Sequence, residues 1–317
     1  MNTSTGFAPF RATAIDRHSA SIVTVDLHPV TPSDGFPVEP GAHIEVGIGD
    51  DLVRQYSACD ALPEGGVRIG VLRERESRGG SHWMHDSLRV GDVLPVRGPL
   101  ITFPFHAGRD PVLFIAGGIG ITALLRMLDD ARRTGRPWRM LYAGRGADRM
   151  PFTDRLASGT DGLTLHDSSV SGPLDLAAWL AASMRDEFAG AHVYACGPAR
   201  MLEELRVLVP SSRLHTELFR AAATAASGPD EAFTVETRDG SVLEVPADGT
   251  ILGALIDAGV PVLNSCREGI CGTCETRILA GVPDHRDSVL TDEERASGET
   301  MMVCVSRSAG GPLRLDV

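Results

Sequence analysis

The pattern of apolar and polar positions changes twice along the chain. Between residues 13 and 105, short apolar runs alternate with glycine, proline and aspartate, a pattern typical of β-strands joined by turns. The predicted strands are Ala20–Leu27, His43–Ile48, Val67–Leu72 and Val93–Arg97. Only Ser81–Leu88 in this region has a helical pattern. We therefore expect an N-terminal antiparallel β-barrel.

From Asp110 to about Pro210, short apolar runs alternate with amphipathic helical segments. This alternation is typical of an α/β fold with a parallel sheet. The predicted strands are Val112–Ala116, Trp138–Ala143, Leu163–His166 and Ala191–Ala195, and the predicted helices are Thr122–Ala131 and one that starts near Pro198.

The segment Ala221–Asp230 is rich in small residues and is typical of a linker. After it, strands at Phe233–Thr237 and Ser241–Val245 are joined by Asp239-Gly240, a hairpin turn signal, and a helix is predicted at Ile251–Ala258. We expect domains at residues 1–107, 108–222 and 231–317, with a linker at 223–230.

Four cysteines follow the spacing of a plant-type 2Fe–2S site: Cys266, Cys271 and Cys274 in one loop, and Cys304 further along. Four thiolates must converge on two irons, and glycines at 269 and 272 would let the loop wrap closely around them. Zinc and two disulfides are the alternatives. However, zinc ribbons use two Cys-x2-Cys pairs, and disulfides require an oxidising compartment that nothing in the sequence indicates.

Two signals indicate nucleotide binding. The glycine-rich turn Gly117-Gly118-Ile119-Gly120-Ile121-Thr122 follows a predicted strand and opens a helix, where backbone N–H groups can bind a diphosphate. We expect Gly117, Gly118, Gly120 and Thr122 to contribute. The second signal is Cys196-Gly197-Pro198, with Pro198 at the first helical position. An ordinary glycine turn and a buried core cysteine are the alternatives.

Two further segments could bind a flavin. On a predicted strand, Arg54 could hold a phosphate, Tyr56 could stack on the ring and Ser57 could bond a ring nitrogen. The segment Arg78-Gly79-Gly80-Ser81 opens the predicted helix, with Ser81 as N-cap, which would make an anion site. The alternatives are a surface arginine with a half-buried tyrosine, and an ordinary capped loop.

The region from Ala232 to Val317 resembles plant-type ferredoxins, and nearly the whole chain resembles the phthalate dioxygenase reductase family. The motifs that carry this resemblance are Arg54-x-Tyr56-Ser57, Arg78-Gly79-Gly80-Ser81, Gly98-Pro99 with Phe103-Pro104, Gly117-Gly118-Ile119-Gly120-Ile121-Thr122, Cys196-Gly197-Pro198 and Asp284-His285-Arg286-Asp287. The resemblance implies a flavin barrel, a nicotinamide domain and a C-terminal β-grasp ferredoxin, in that order.

The resemblance also implies FMN rather than FAD, and NADH as the electron donor. Hydride transfer to the flavin would take place beside Ser57 and Cys196. Single electrons would then pass through the cluster to a terminal oxygenase component of the Rieske type, as in aromatic dioxygenases and O-demethylases. A haem monooxygenase is the alternative partner. A non-catalytic iron–sulfur redox sensor is the alternative from another class.

Two residue assignments are carried over from this resemblance and from position. Phe219, in His215–Phe219, would lie against the flavin ring, with a core phenylalanine as the alternative. Asp167 follows a predicted strand and could accept hydrogen bonds from the adenosine ribose, which would favour NADH over NADPH. Arg145 could instead receive a 2′-phosphate.

Charge is distributed unevenly. The chain has a net charge of −12 and no lysine, and nine of these net charges lie between Gly228 and Val317. This argues against nucleic-acid binding and suits docking onto a basic protein surface, although solubility alone could also explain it. There is no 18-residue apolar run and no signal-peptide pattern, so we expect a cytoplasmic protein without a membrane span.

Overall fold

The computed structural model describes residues 6–31, 37–49, 52–77, 79–157, 161–219 and 230–317. The chain divides into two compact units, residues 1–219 and 220–317. The first unit contains both the barrel and the α/β region. The boundaries at 107/108 and 222/223 stay predictions. The predicted linker at 223–230 lies outside the described residues, except for Asp230.

Six strands of the first unit form a closed antiparallel barrel, which confirms the predicted fold. They are β1 (Ala8–Arg17), β2 (Ile22–Pro29), β3 (Ala42–Ile48), β4 (Leu52–Leu62), β5 (Gly66–Leu72) and β6 (Val93–Ile101). Their order is β1-β2-β5-β4-β3-β6, and pairing of β6 with β1 closes the barrel. Val25, Ile44 and Ile69 are fully buried in its core. Helix α1 (Gly80–Asp86) follows β5.

A five-stranded parallel sheet completes this unit. Its elements are β7 (Val112–Gly117), α2 (Ile121–Thr134), β8 (Trp138–Gly144), α3 (Thr153–Ala157), β9 (Leu163–Asp167), α4 (Ser168–Ser171), α5 (Leu176–Ser183), β10 (His192–Cys196), α6 (Ala199–Leu208) and β11 (Leu214–Glu217). The strand order is β11-β10-β7-β8-β9. Every residue of the central strand β7 is buried, because helices cover both faces of such a sheet.

The barrel and the parallel sheet are joined by polar as well as apolar contacts. Arg155 of α3 bonds to Asp60 of β4 at 3.1 Å and to Asp129 of α2 at 2.5 Å. Both ion pairs are only partly buried, so each contributes modest stability and mainly fixes the geometry. One arginine therefore connects a barrel strand with the helix that follows the glycine turn.

The second unit has a mixed sheet. Its elements are β12 (Phe233–Glu236), β13 (Val242–Val245), α7 (Ile251–Asp257), β14 (Glu275–Ala280), β15 (Pro283–Asp284), α8 (Asp292–Ser297), β16 (Thr300–Met302), β17 (Arg307–Ser308) and β18 (Leu313–Leu315). The order is β13-β12-β18-β14-β16, and β15 pairs separately with β17. The three-cysteine loop lies between α7 and β14, and Cys304 follows β16. No helix in the described part of the chain is long and apolar enough to span a membrane.

Candidate redox sites

The carboxyl ends of β7 and β10 lie side by side, because Ala116 pairs with Cys196. The loops that follow them approach very closely. A Cβ atom at Gly120 would lie 2.2 Å from the Cys196 carbonyl oxygen, and one at Gly117 would lie 2.5 Å from Pro198 Cδ. These glycines are therefore required by backbone contact, and the turn exposes N–H groups at the sheet edge where such folds bind nucleotides.

The structure thus brings together the residues of both predicted nucleotide signals. Gly118 has a φ of +55° in the turn, and the Thr122 hydroxyl donates to the Ile119 carbonyl at 2.9 Å, which stabilises it. Gly197 lies against Gly117. The prediction that Pro198 is the first helical residue was wrong. Pro198 has an extended ψ of 143° and is the N-cap, so α6 begins at Ala199.

Three side chains meet where the barrel contacts this edge. Glu217 ends β11 and pairs with Cys196. The hydroxyl of Ser57, on β4, donates to Glu217 Oε2 at 3.4 Å. Burial raises the pKa of Glu217 to about 8, so its carboxyl is largely protonated at neutral pH. Burial and the nearby Glu217 carboxyl also raise the pKa of the Cys196 thiol, which keeps it neutral.

Glu217 is not among the site residues predicted from the sequence. In the segment His215–Phe219, only Phe219 was predicted to contact a cofactor. The available signal in the sequence was an acidic residue, Glu217, at the end of a short strand. Recognising that this strand lies next to the Cys196 strand requires knowledge of the strand order. Phe219 itself is 37% exposed, so it is not a core residue. Its contact with a flavin stays a prediction.

On the barrel side, Arg54 lies across the start of α1. A Cβ at Gly80 would be 2.7 Å from Arg54 Cγ, so a larger residue would displace the arginine side chain. Burial lowers the pKa of Arg54 and raises that of the Tyr56 phenol. A guanidinium and an apolar aromatic face beside a glycine cradle suit a phosphate and a flavin ring.

The prediction that Ser81 is the N-cap of this helix is wrong. The N-cap is Gly79, whose φ of 97° suits glycine, and α1 begins at Gly80. Ser81 instead accepts the Glu74 N–H at 3.1 Å and donates to the Ser77 hydroxyl. It therefore stabilises the loop before the helix. The predicted contact Arg78 lies outside the described residues.

Asp167 is the last residue of β9 and the N-cap of α4. Its Oδ1 accepts the N–H groups of Gly146 and Ser169, each at 2.9 Å, and the Ser169 hydroxyl at 2.6 Å. These hydrogen bonds lower the pKa of Asp167. The carboxylate therefore also fixes the loop that contains Arg145. Its role in ribose binding stays a prediction.

The four cluster cysteines lie in two pairs. The Cys266 thiol interacts with that of Cys271, and the Cys274 thiol with that of Cys304. Two pairs of thiols match two irons, each held by two thiolates from the protein. The Glu268 N–H also points to Cys266 Sγ at 3.3 Å, as expected for a cluster sulfur ligand. All six cysteines of the chain are free thiols, so the disulfide alternative is wrong.

The loop carrying these ligands needs unusual backbone angles. Gly269 and Gly272 have φ values of +69° and +75°, and Arg267 also lies in the left-handed region at +56°. The two glycines adopt these angles without strain, as expected from the sequence. The donor set and the loop shape both fit a 2Fe–2S cluster.

Comparisons with known proteins agree with this geometry. Residues 234–309 match the family described as the 2Fe-2S iron-sulfur cluster binding domain. The chain is 40% identical over 325 residues to phenoxybenzoate dioxygenase subunit beta of Ectopseudomonas oleovorans, covering 100% of both chains. It is 32% identical to the solved phthalate dioxygenase reductase, covering 99% of each chain with a TM-score of 0.76.

A further match is a type IV self-sufficient cytochrome P450 monooxygenase, at 36% identity and a TM-score of 0.82. The match covers 98% of this chain and 41% of that longer protein.

A barrel beside a nucleotide-binding sheet, with a three-cysteine loop and a fourth cysteine in a second unit, defines a flavin-dependent iron–sulfur reductase. The chain belongs to the phthalate dioxygenase reductase family. It therefore has a flavin, a pyridine-nucleotide donor and a 2Fe–2S cluster, and the zinc and redox-sensor alternatives are wrong.

Proposed function

We propose that this chain oxidises NADH with FMN and passes single electrons through its 2Fe–2S cluster to a terminal Rieske-type oxygenase. The observation that carries the proposal is that Glu217, the strand neighbour of Cys196, accepts the Ser57 hydroxyl where the barrel contacts the nucleotide edge of the sheet. The solved relative is described as transferring electrons from pyridine nucleotides to a 2Fe–2S centre.

Each side chain has a positioning task. The turn at Gly118 and Gly120 binds the diphosphate, and the small neutral Cys196 leaves room for the nicotinamide beside the flavin. The Ser57 hydroxyl, held by Glu217, would be available to a flavin bound in the barrel. A bound flavin would supply the exchange between a two-electron donor and a one-electron cluster. The protein thus orients the cofactors and keeps water away from the transfer.

The order of transfer can be tested by anaerobic mixing with NADH in a stopped-flow spectrometer. We expect flavin absorbance to fall before cluster absorbance. Bleaching of the cluster ahead of the flavin would contradict the proposed order. Acid-released flavin should chromatograph as FMN at about one per chain. Stoichiometric FAD would remove the Arg54–Gly80 cradle as the site of a terminal phosphate.

The oxygenase partner is supported by the relatives, since two of them are named as dioxygenase subunits. A haem monooxygenase is the second candidate, because the fused cytochrome P450 is also similar over nearly the whole chain. Anaerobic electron transfer to a purified Rieske oxygenase and to a haem monooxygenase would separate them. Faster reduction of the haem protein by an order of magnitude would favour the second candidate.

We also propose that the acidic second unit docks onto a basic partner surface. Opposite charge mainly accelerates encounter, and salt screens exposed charges over about 10 Å at 0.1 M. Electron transfer to the partner should therefore slow with salt, and Glu268→Arg should slow it at low salt. The control is Glu244→Arg. Glu244 lies on the edge strand β13, which is separated by β12 and β18 from β14, the strand after the three-cysteine loop. Equal effects of both variants would contradict local docking.

A cytoplasmic location is proposed as well, because NADH and free cluster thiols both suit a reducing compartment.

A further inference from the structure

A buried carboxylate lies behind the cluster loop. Asp287 is fully buried, although most acidic residues of its unit are on the surface. Its Oδ2 accepts the N–H groups of Val289 at 3.0 Å and Leu290 at 2.9 Å. Its Oδ1 is also buried and has no hydrogen-bond partner among the described residues. Burying a carboxylate is unfavourable, so its retention in the core calls for a specific role.

The turn that Asp287 fixes contacts the cluster loop directly. The N–H of Ser288 donates to the Gly269 carbonyl at 2.8 Å. Gly269 lies between Cys266 and Cys271. A Cβ there would be 3.1 Å from the Asp287 Cα and 2.6 Å from Val305 Cγ2. Since Val305 follows Cys304, the Asp287 turn and the fourth ligand segment enclose the three-cysteine loop from two sides.

Two other charged or titratable groups face Asp287. Arg295 of α8 donates to the Asp287 carbonyl at 2.5 Å and lies 3.5 Å from Oδ2, and it also bonds the Leu290 carbonyl. The His285 Nδ1 lies 3.9 Å from Asp287 Oδ1, beyond hydrogen-bonding distance, and neither ring nitrogen has a partner in the described part of the chain. Arg295 is partly exposed, so solvent weakens its compensation of the buried charge.

We propose that Asp287 is a positioning residue for the iron–sulfur cluster, with two separable effects. Its hydrogen bonds hold the turn that fixes Gly269, so that the thiols of the loop converge with Cys304. Its negative charge, buried against the loop, disfavours the additional electron of the reduced cluster and makes the cluster a stronger reductant. Charge and hydrogen bonding near a cluster are known means of setting its potential. The proposal rests on the 2Fe–2S cluster, and on no particular partner.

Two variants separate these effects. Asp287→Asn keeps an oxygen that can accept the Val289 and Leu290 N–H groups but removes the charge. Asp287→Ala removes the acceptor as well. Asp257→Asn, at the exposed end of α7, removes the same charge from the surface of the same unit and is the matched control.

The readouts are the midpoint potential of the cluster, from a spectroscopic redox titration of the full-length protein, and the rate of cluster loss to a chelator. We expect Asp287→Asn to retain its cluster and to be about threefold more reduced than wild type at the same potential. Asp287→Ala should lose its cluster about tenfold faster. Asp257→Asn should change neither quantity.

Wild-type potential in Asp287→Asn overturns the electrostatic effect, and wild-type cluster retention in Asp287→Ala overturns the structural one. If Asp287→Ala does not fold, Asp287→Ser replaces it, because a serine hydroxyl makes such turn contacts more weakly than a carboxylate. Wild-type cluster retention in Asp287→Ser then overturns the structural effect. Flavin content and NADH-dependent ferricyanide reduction are measured in parallel. Loss of these activities would instead indicate a failure of the proposed hydride site.

Discussion

The two redox sites of this protein are built in opposite ways. In the second unit, three of the four cluster ligands lie within nine residues of one loop. In the first unit, Ser57 and Glu217 are 160 residues apart and meet only because the barrel packs on the parallel sheet. The cluster site can therefore be predicted from the local spacing of cysteines. The hydride site depends on the strand order and on the contact between the barrel and the parallel sheet.

The largest expected effect separates the two sites. Cys271→Ser should remove cluster absorbance and abolish cytochrome c reduction, because a serine oxygen is a poor replacement for the thiolate. NADH-dependent reduction of ferricyanide should remain, since ferricyanide can take electrons from the flavin directly. If both activities disappear while the flavin is retained, the sites are not independent.

The next effect tests the close approach in the nucleotide site. Gly120→Ala places a Cβ within 2.2 Å of the Cys196 carbonyl oxygen, so the backbone must shift. We expect kcat/KM for NADH to fall about a hundredfold, as misplacement by roughly 1 Å can cause. Gly108→Ala, where nothing lies within 4 Å, is the control and should behave as wild type. Equal activity of both variants would show that the glycine turn and the loop after Cys196 can move apart without loss of nucleotide binding.

Glu217→Gln tests the residue that sequence analysis did not identify. With a pKa of about 8, the wild-type carboxyl ionises between pH 7 and 9. Hydride transfer should change across that range by up to about tenfold, and the Gln variant should lose this pH dependence. Stopped-flow rates at several pH values provide the measurement. A pH profile that persists in the variant would assign it to another group.

The same substitution should alter stability in a pH-dependent way. The folded pKa of Glu217 is raised above its ordinary value of 4.5, so its stability contribution is complete below pH 4.5 and is lost as the pH rises through 8. Glu217→Gln should therefore have a higher Tm than wild type at pH 9, and this difference should disappear near pH 4.5. A constant difference would show that burial does not perturb this carboxyl.

The smallest expected effect concerns nucleotide choice. Asp167→Ser should narrow the preference for NADH over NADPH by a few-fold, because a carboxylate repels a 2′-phosphate. Asp161→Ser, an exposed acid in the same region, is the control. The ratio of kcat/KM values for the two nucleotides is the measurement. An unchanged ratio would remove Asp167 from the ribose site and direct attention to Arg145.

Sequence patterns predicted the strands and helices well where periodicity was strong. Strand β7, predicted at Val112–Ala116, extends only one residue further, to Gly117. The errors concern helix starts. The predicted positions of Ser81 and Pro198 at their helix starts were wrong, because the backbone angles that define these starts are not determined by composition. Strand β1 begins at Ala8 and was not predicted. Its exposed and buried residues are not bounded by turn signals, so the sequence pattern there is ambiguous.

The candidate sites differ in the same respect. The cluster ligands follow from spacing alone, because each iron needs two thiolates and one loop supplies most of them. Glu217 could not be found in this way, since its importance comes from pairing with Cys196 and from the Ser57 hydroxyl across the barrel contact. Asp287 was noted only as part of a motif, and its burial is a tertiary property.

The hydrogen bond between Ser57 and Glu217 and the ion pair between Arg155 and Asp60 have a consequence for how such proteins diversify. A crossover between related genes near residue 107 would join a barrel and a sheet that had not evolved together, and would mismatch both contacts at once. A crossover between residues 219 and 230 leaves them intact. We therefore expect recombination in this family to exchange the cluster unit as a module, while the barrel and the nucleotide sheet are inherited as a pair.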